Sequence, residues 1–135
     1  MDTEFGHWLA GFIAGEGCFA IARNHGCWVI SFTLTQRDDD AAIIYEIQDR
    51  LGFGTIHRSR GRGNSKPQIT WQVARVADQC RLVQILDRFP MRARKTEDYH
   101  IWRQAVLAKS TKDLGRIDAL VPKLKAARAY KAASA

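Results

Sequence analysis

Residues 8–19 read Trp8-Leu9-Ala10-Gly11-Phe12-Ile13-Ala14-Gly15-Glu16-Gly17-Cys18-Phe19. Gly11 and Gly15 stand four apart, as do Ala10 and Ala14. On a helix those positions share a face. Small residues there let a second helix approach backbone to backbone, as G-x-x-x-G pairs do in membranes. Each glycine costs a helix roughly 1 kcal/mol relative to alanine, so two in one helix imply a tight helix–helix contact as the compensating gain. Glu16 then falls at the helix C-terminus, where the dipole disfavours a carboxylate. A bound cation would remove that conflict; the plain alternative is a solvated carboxylate ahead of a glycine cap.

Around this segment, Phe5, Trp8, Leu9, Phe12 and Ile13 recur at helical spacing and predict a helix over residues 5–15. Residues 18–24 and 28–36 read as strands joined by a His25-Gly26 turn, with Ile30, Phe32 and Leu34 alternating against Ser31, Thr33 and Thr35. Asp38, Asp39 and Asp40 open the next helix, whose buried stripe is Ile43, Ile44, Ile47 and Leu51, and Gly52 stops it. The pattern then recurs: strands over 54–60 and 68–74 flank a Gly/Arg-rich loop, and a helix over 76–89 carries Val76, Cys80, Val83 and Leu86. Helices over about 95–109 and 112–131 follow, with Pro122 starting a fresh turn. Two hairpins covered by helices on one side make a single α+β domain over residues 1–135, with 112–135 as a C-terminal helical extension.

The chain of 135 residues suits one domain, and its 46% apolar content argues against disorder. No apolar run of about 18 residues occurs, so no membrane span is expected, and the acidic N-terminus lacks the apolar core of a secretory signal. Cys18, Cys27 and Cys80 form neither a C-x-x-C pair nor a zinc pattern, which suits a reducing compartment. An intracellular site is expected: bacterial cytoplasm, phage-infected cell or organelle.

The net charge of +7 suggests a polyanionic partner, and neither a membrane nor a small-molecule substrate is expected. Its distribution says more. No acid occurs from Gly17 to Arg37, nor from Arg50 to Ala77, where Arg50, Arg58, Arg60, Arg62, Lys66 and Arg75 all fall. A phosphate-facing surface requires that exclusion, because an unpaired carboxylate would be repelled. The sheet face away from the predicted core carries Ala20, Ala22, Asn24, Ser31, Thr33, Thr35, Thr55, His57, Ser59, Gln68, Thr70 and Gln72. These are small or carry donors and acceptors suited to base edges. A merely solvated face would mix Lys with Glu.

Leu9 to Gly17 closely resembles the signature nonapeptide of the LAGLIDADG homing endonucleases, and Cys18-Phe19 continues it typically. The resemblance extends to the α-β-β-α-β-β-α order, to Thr35-Gln36 ending the second strand, and to Pro90-Met91-Arg92-Ala93-Arg94-Lys95 leading into Tyr99-His100-Ile101-Trp102. It implies a four-stranded antiparallel, saddle-shaped sheet with helices on one face. It also implies that Glu16 binds metal together with the Gly15 carbonyl, that Gln36 lies near the cleavage centre, and that Arg94 or Lys95 is the basic pocket residue. Two departures stand out. Ala14 replaces the motif's earlier acid, which is not the usual ligand, and Asp40 falls at or near a position that is basic in some relatives, with Arg37 nearby to supply the charge.

One motif copy implies a homodimer, with Leu9, Gly11, Phe12 and Gly15 at the crossing. The implied activity is Mg²⁺-dependent cleavage of both strands of a long pseudo-palindromic DNA site, leaving 3′ overhangs, and Mn²⁺ or Ca²⁺ can replace Mg²⁺ for binding. Ala22, Asn24, Ser31, Thr33, Thr35, Arg37, Thr55, His57, Ser59, Gln68, Thr70 and Gln72 are expected to read DNA, joined by Arg60, Arg62 and Lys66 on its phosphates. Strands of about eight residues at roughly 3.3 Å each cover about eight base pairs per subunit. The alternative that the resemblance leaves is a non-cleaving relative, an RNA maturase or transcription regulator. A basic structural protein on RNA fits the charge but not the nonapeptide.

Overall fold

The computed structural model describes residues 1–133, with side chains through Ala129; residues 134–135 of the expected extension lie outside the described residues. The elements are α1 (Thr3–Glu16), β1 (Gly17–Asn24), β2 (Cys27–Arg37), a 3₁₀ turn (Asp38–Asp40), α2 (Ala41–Leu51), β3 (Thr55–Ser59), β4 (Gln68–Val73), α3 (Val76–Arg88), α4 (Lys95–Ser110) and α5 (Leu114–Ala133). The hairpins form one antiparallel sheet in the order β1-β2-β4-β3, so β2 and β4 are central. His25 and Gly26 make the first turn with φ of 51° and 78°, the doubly left-handed geometry that suits the twist of a two-residue hairpin.

Register explains the two faces. Gly17, Leu34, Trp71 and Ile56 lie in one row across the sheet, and Phe19, Phe32 and Val73 in the next; Leu34, Trp71, Phe19, Phe32 and Val73 are fully buried beneath the helices. Helices α1, α2, α3 and α4 all pack on this side. Phe19, Phe32, Trp71 and Trp102 form the aromatic centre. Both indole N–H groups are spent on backbone: Trp71 donates to the Phe53 carbonyl at 3.0 Å and Trp102 to the Ser31 carbonyl at 2.9 Å. Buried donors so matched cost little.

Three local expectations change. The aspartates sit in a 3₁₀ turn ahead of α2, whose own first turn has no acid. The Asp38 N–H is held by the Pro67 carbonyl and its carboxylate by Arg58, which keeps the turn tied to the sheet. Pro122 lies inside one helix, α5, rather than starting a new turn. Proline deprives the helix of one bond, but Ile117, Leu120 and Leu124 are buried on both sides of it and hold the helix against α4. On α3 the buried face is Gln79, Leu82, Val83 and Leu86 rather than one including Val76 and Cys80. The Gln79 amide donates to the Ile30 and Val73 carbonyls at 2.5 and 3.2 Å, tying α3 to both central strands.

Helices α3 and α4 are clamped by Asp87, which accepts from Tyr99 Oη at 2.6 Å and from Arg103 at 2.8–3.1 Å. Burial alone raises the Asp87 carboxyl, but the bonds from Arg103 and Tyr99 outweigh it and hold it below its ordinary 3.8. A carboxyl lowered on folding adds stability that is present above its unfolded value and lost as pH falls through the folded one. Asp87→Asn is therefore expected to melt below the wild type at pH 7, with the gap closing once the pH passes below 3.8. Thermal melts across that range test this; a gap independent of pH contradicts it.

Candidate nucleic-acid interface and metal site

Helix α1 runs into β1 with no loop: Glu16 ends the helix and Gly17 begins the strand. The reason is steric. A Cβ on Gly17 would lie 2.8 Å from the Ile13 carbonyl oxygen and 2.9 Å from both the Ile13 side chain and the Phe32 ring. Only glycine lets helix and strand meet so closely, and the junction sets Glu16 at the margin of the sheet. The Glu16 side chain is exposed, and the last carbonyls of a helix lack intrahelical partners.

Three other sequence-predicted site residues belong to the same end. Lys95, the first residue of α4, is buried, and its Nζ donates to the Gly17 carbonyl at 2.5 Å, one residue from Glu16. Arg94 is exposed and lines a groove between α4 and α5 with Glu97, Ile101, Lys123, Ala126 and Ala127. The two basic candidates thus face different surroundings, and Lys95 is the one against the motif. Gln36 lies two residues beyond Leu34, the partner of Gly17, so it too belongs to this end. It pairs with Ile69 and so shares the helix-side parity, and its Nε2 donates to the Thr35 carbonyl at 2.9 Å.

The opposite face of the sheet is open. Its rows are Cys18–Thr33–Gln72–Thr55, Thr35–Thr70–His57 and Arg37–Gln68–Ser59, with Ala20–Ser31, Ala22–Val29 and Asn24–Cys27 on the first hairpin. Every strand residue named from the sequence as a reading position falls here, and no acid does. Hydroxyls bind neighbours on this face, Thr35 Oγ1 with Thr70 Oγ1 at 2.8 Å along a row and Thr55 Oγ1 with His57 Nε2 at 3.2 Å between rows. Cys18, Cys27 and Val29 also belong to this face. Strand parity alone identifies Cys18 and Val29, but an apolar side chain masks the signal.

Arg60, Arg62 and Lys66 are exposed in the β3–β4 loop, and among the described residues no carboxylate pairs with them. Arg58 differs: it shares the parity of Ile69 and is bound to Asp38, whose hydrogen bond holds the guanidinium still more firmly protonated. It is thereby withdrawn from the loop's charge. Arg37 pairs with Asp39 at 3.4 Å between exposed groups, a bond too weak to withdraw it from another partner.

On α1 the exposed stripe is Trp8, Gly11, Phe12 and Gly15, with Phe12 half-buried. A Cβ at Gly11 or Gly15 would meet nothing within 4 Å, so neither glycine is demanded by the fold of one chain. Trp8, expected in the core, is 39% exposed and stacks on Phe12 at 5.2 Å. Leu9 corrects the sequence reading in the other direction. It is 0% exposed in its own subunit's core and offers no surface to a second copy.

The Gly17 junction makes a prediction of its own. Gly17→Ala overpacks Ile13 and Phe32 and is expected to cost about 1–3 kcal/mol in urea unfolding, whereas Gly115→Ala in α5, where a Cβ would meet nothing within 4 Å, leaves stability unchanged or raised. Equal effects at the two positions contradict the steric argument.

Comparison with known proteins agrees with this geometry. The family model described as LAGLIDADG endonuclease matches residues 9–106. "Probable intron-encoded endonuclease Cox1-I1b" of Schizosaccharomyces pombe is 29% identical over 109 residues, 77% of this chain but only 27% of that protein's length. Among solved structures, the archaeal intron-encoded homing endonuclease I-Vdi141I complexed with DNA superimposes with a TM-score of 0.80 at 20% identity, over 93% of this chain and 86% of that one. The meganuclease I-AabMI bound to uncleaved DNA does so with a TM-score of 0.76 at 22% identity, over 85% of this chain and 43% of that one. These likenesses share the fold, and the family model takes in the Gly17 junction, both hairpins and Lys95: the chain belongs to the LAGLIDADG endonuclease family.

Proposed function

We propose that the chain is a site-specific, Mg²⁺-dependent endonuclease of double-stranded DNA that acts as a homodimer. The observation that carries the reading is one carboxylate, Glu16, set at the margin of a sheet face that has no acid of its own. A lone carboxylate beside a polyanion is repelled by it unless a cation stands between them.

The donors fit magnesium. Glu16 and the Gly15 carbonyl offer hard oxygens, and among the described residues no group of three or more His, Cys, Asp and Glu forms a closed cage. Mg²⁺ characteristically takes one or two carboxylates and completes its shell with phosphate oxygens and water. When bound, it supplies a Lewis acid at the scissile phosphate and lowers the pKa of its water.

The chain's own residues do the rest. Lys95, anchored on the Gly17 carbonyl, keeps a positive charge beside the phosphate as negative charge builds in the transition state. Gln36 gives one N–H to Thr35, and an amide has a second N–H and a carbonyl with which to orient water or phosphate. The open face lies in the major groove, with its hydroxyls, amides and His57 at base edges and Arg60, Arg62 and Lys66 on phosphates. A second copy crosses at the Trp8–Gly11–Phe12–Gly15 stripe and brings the two Glu16 carboxylates together over opposite strands. Two solved relatives named above hold DNA, and a curated relative is named an intron-encoded endonuclease, which supports the same substrate.

The test is incubation of the purified chain with a plasmid library carrying a randomised insert, with Mg²⁺ or with EDTA. Linear product is expected only with Mg²⁺. Glu16→Gln is expected to lose cleavage by about 10²-fold or more while still retaining the selected duplex on a filter, because charge is lost and shape is kept. Cleavage by Glu16→Gln at the wild-type rate overturns the assignment. Wild-type retention of DNA without cleavage under any divalent ion overturns the enzymatic reading in favour of a binding protein.

A further inference from the structure

Helix α5 lies beyond the family match, which ends at residue 106. From Ala119 to Ala135 the chain has no acid, and Lys123, Lys125, Arg128 and Lys131 are basic. It is a third acid-free segment, beside the two in the hairpins.

Its placement gives that charge a direction. Ile117, Leu120 and Leu124 are buried, which turns the stripe Asp118–Val121–Lys125–Arg128, spaced three and four apart, along the free edge of β1. Two contacts fix the alignment. Asp118 reaches Arg23, near the far end of β1, at 4.0 Å. Arg128 Nη2 donates to the Phe19 carbonyl at 2.7 Å and to Cys18 Sγ at 2.9 Å, at the near end. Ten helical residues rise about 15 Å and five strand residues about 16 Å, so the two elements match in length. Cys18 belongs to the open face and stands two residues from Glu16. The guanidinium of Arg128 is therefore at the border between the β1 edge, the open face and the motif.

Edge protection explains part of this, since a free strand edge is commonly covered. It accounts for the Arg128 bond to Phe19. It does not account for Lys125, one turn earlier on the stripe, exposed and without a carboxylate partner among the described residues. Nor does it account for the absence of acids. Arg128 makes both bonds through Nη2, and a guanidinium carries five N–H donors.

We propose that Lys125 and Arg128 form a phosphate-binding rail along the β1 edge, which carries the DNA interface beyond the sheet and flanks the backbone next to the cleavage centre. The proposal rests on the DNA-binding reading above. Asp118, the acid of the stripe, lies at the far end beside Arg23, so the end of the rail beside the motif carries only positive charge.

The test is the salt dependence of binding to a pool of random-sequence duplexes, which reports phosphate contacts without needing the target. Lys125→Gln is expected to flatten the slope of log K against log salt by about one unit, and Lys125→Gln/Arg128→Gln by about two. Arg128→Lys, which keeps the charge but loses the fork geometry, is expected to hold the wild-type slope. Melting temperatures are read alongside. Because Lys125 makes no bond to β1, its variant tests the rail even where Arg128→Gln loosens the edge. Wild-type slopes in Lys125→Gln and in the double variant overturn the rail and leave the DNA reading intact. A wild-type chain with no salt-dependent binding overturns both.

Discussion

Helix α1 and strand β1 meet at Gly17 without a loop, and much of the molecule follows from that contact. With the Ile13 carbonyl and the Phe32 ring both within 3 Å of where a Cβ would stand, the helix is pressed onto the start of the sheet. The pressure aligns Leu9 and Ile13 with the aromatic centre and commits one sheet face to the core. The remaining face of α1 is then the stripe containing Gly11 and Gly15, where nothing in the same chain would resist a side chain. A structural helix gains from alanine at such positions. Glycine there would let another backbone come close, so one junction bears on the core, the candidate site and the proposed dimer together.

Charge is sorted around the same point. The open face excludes acids, Asp38 draws Arg58 away from the β3–β4 loop, and Arg60, Arg62 and Lys66 remain exposed beside it. Lys95 is the exception in being buried. Taking an ammonium out of water is expensive, and the Gly17 carbonyl accepts one of its N–H donors. The role proposed for that cation, beside the residue that follows Glu16, is to offset charge that develops at the phosphate.

Much of this was legible in the sequence, and the parts that were not share a cause. Alternation in Ile30–Thr35 and Gln68–Val73 identified both strands and the parity of the open face, because a one-residue slip would bury polar groups. The nonapeptide located Glu16 directly. The rotation of α1 and α3 was not legible, because apolar spacing identifies a helix but leaves its rotation open by a residue or so, and Leu9 came to the dimer crossing through the resemblance alone. Trp8 points outward and Leu9 inward, and a buried amide satisfied by two strand carbonyls has no sequence signature. The choice between Arg94 and Lys95 depended on where α4 begins, and helix boundaries are poorly marked in sequence. Pro122 and the Asp38–Asp40 turn went astray because tertiary contacts, to α4 and to Arg58, outweighed local propensity.

The central claim is that two copies of this sheet lie along one DNA site, with two Glu16 carboxylates over opposite strands at its middle. Mapping the ends of the DNA produced from a randomised library with Mg²⁺, at single-nucleotide resolution, tests it most directly. The account predicts one cut on each strand, placed symmetrically about the centre of a pseudo-palindrome, with 3′ overhangs and flanking selected positions extending about eight base pairs to each side. Cuts on one strand only, or cuts with no symmetric sequence around them, would contradict it.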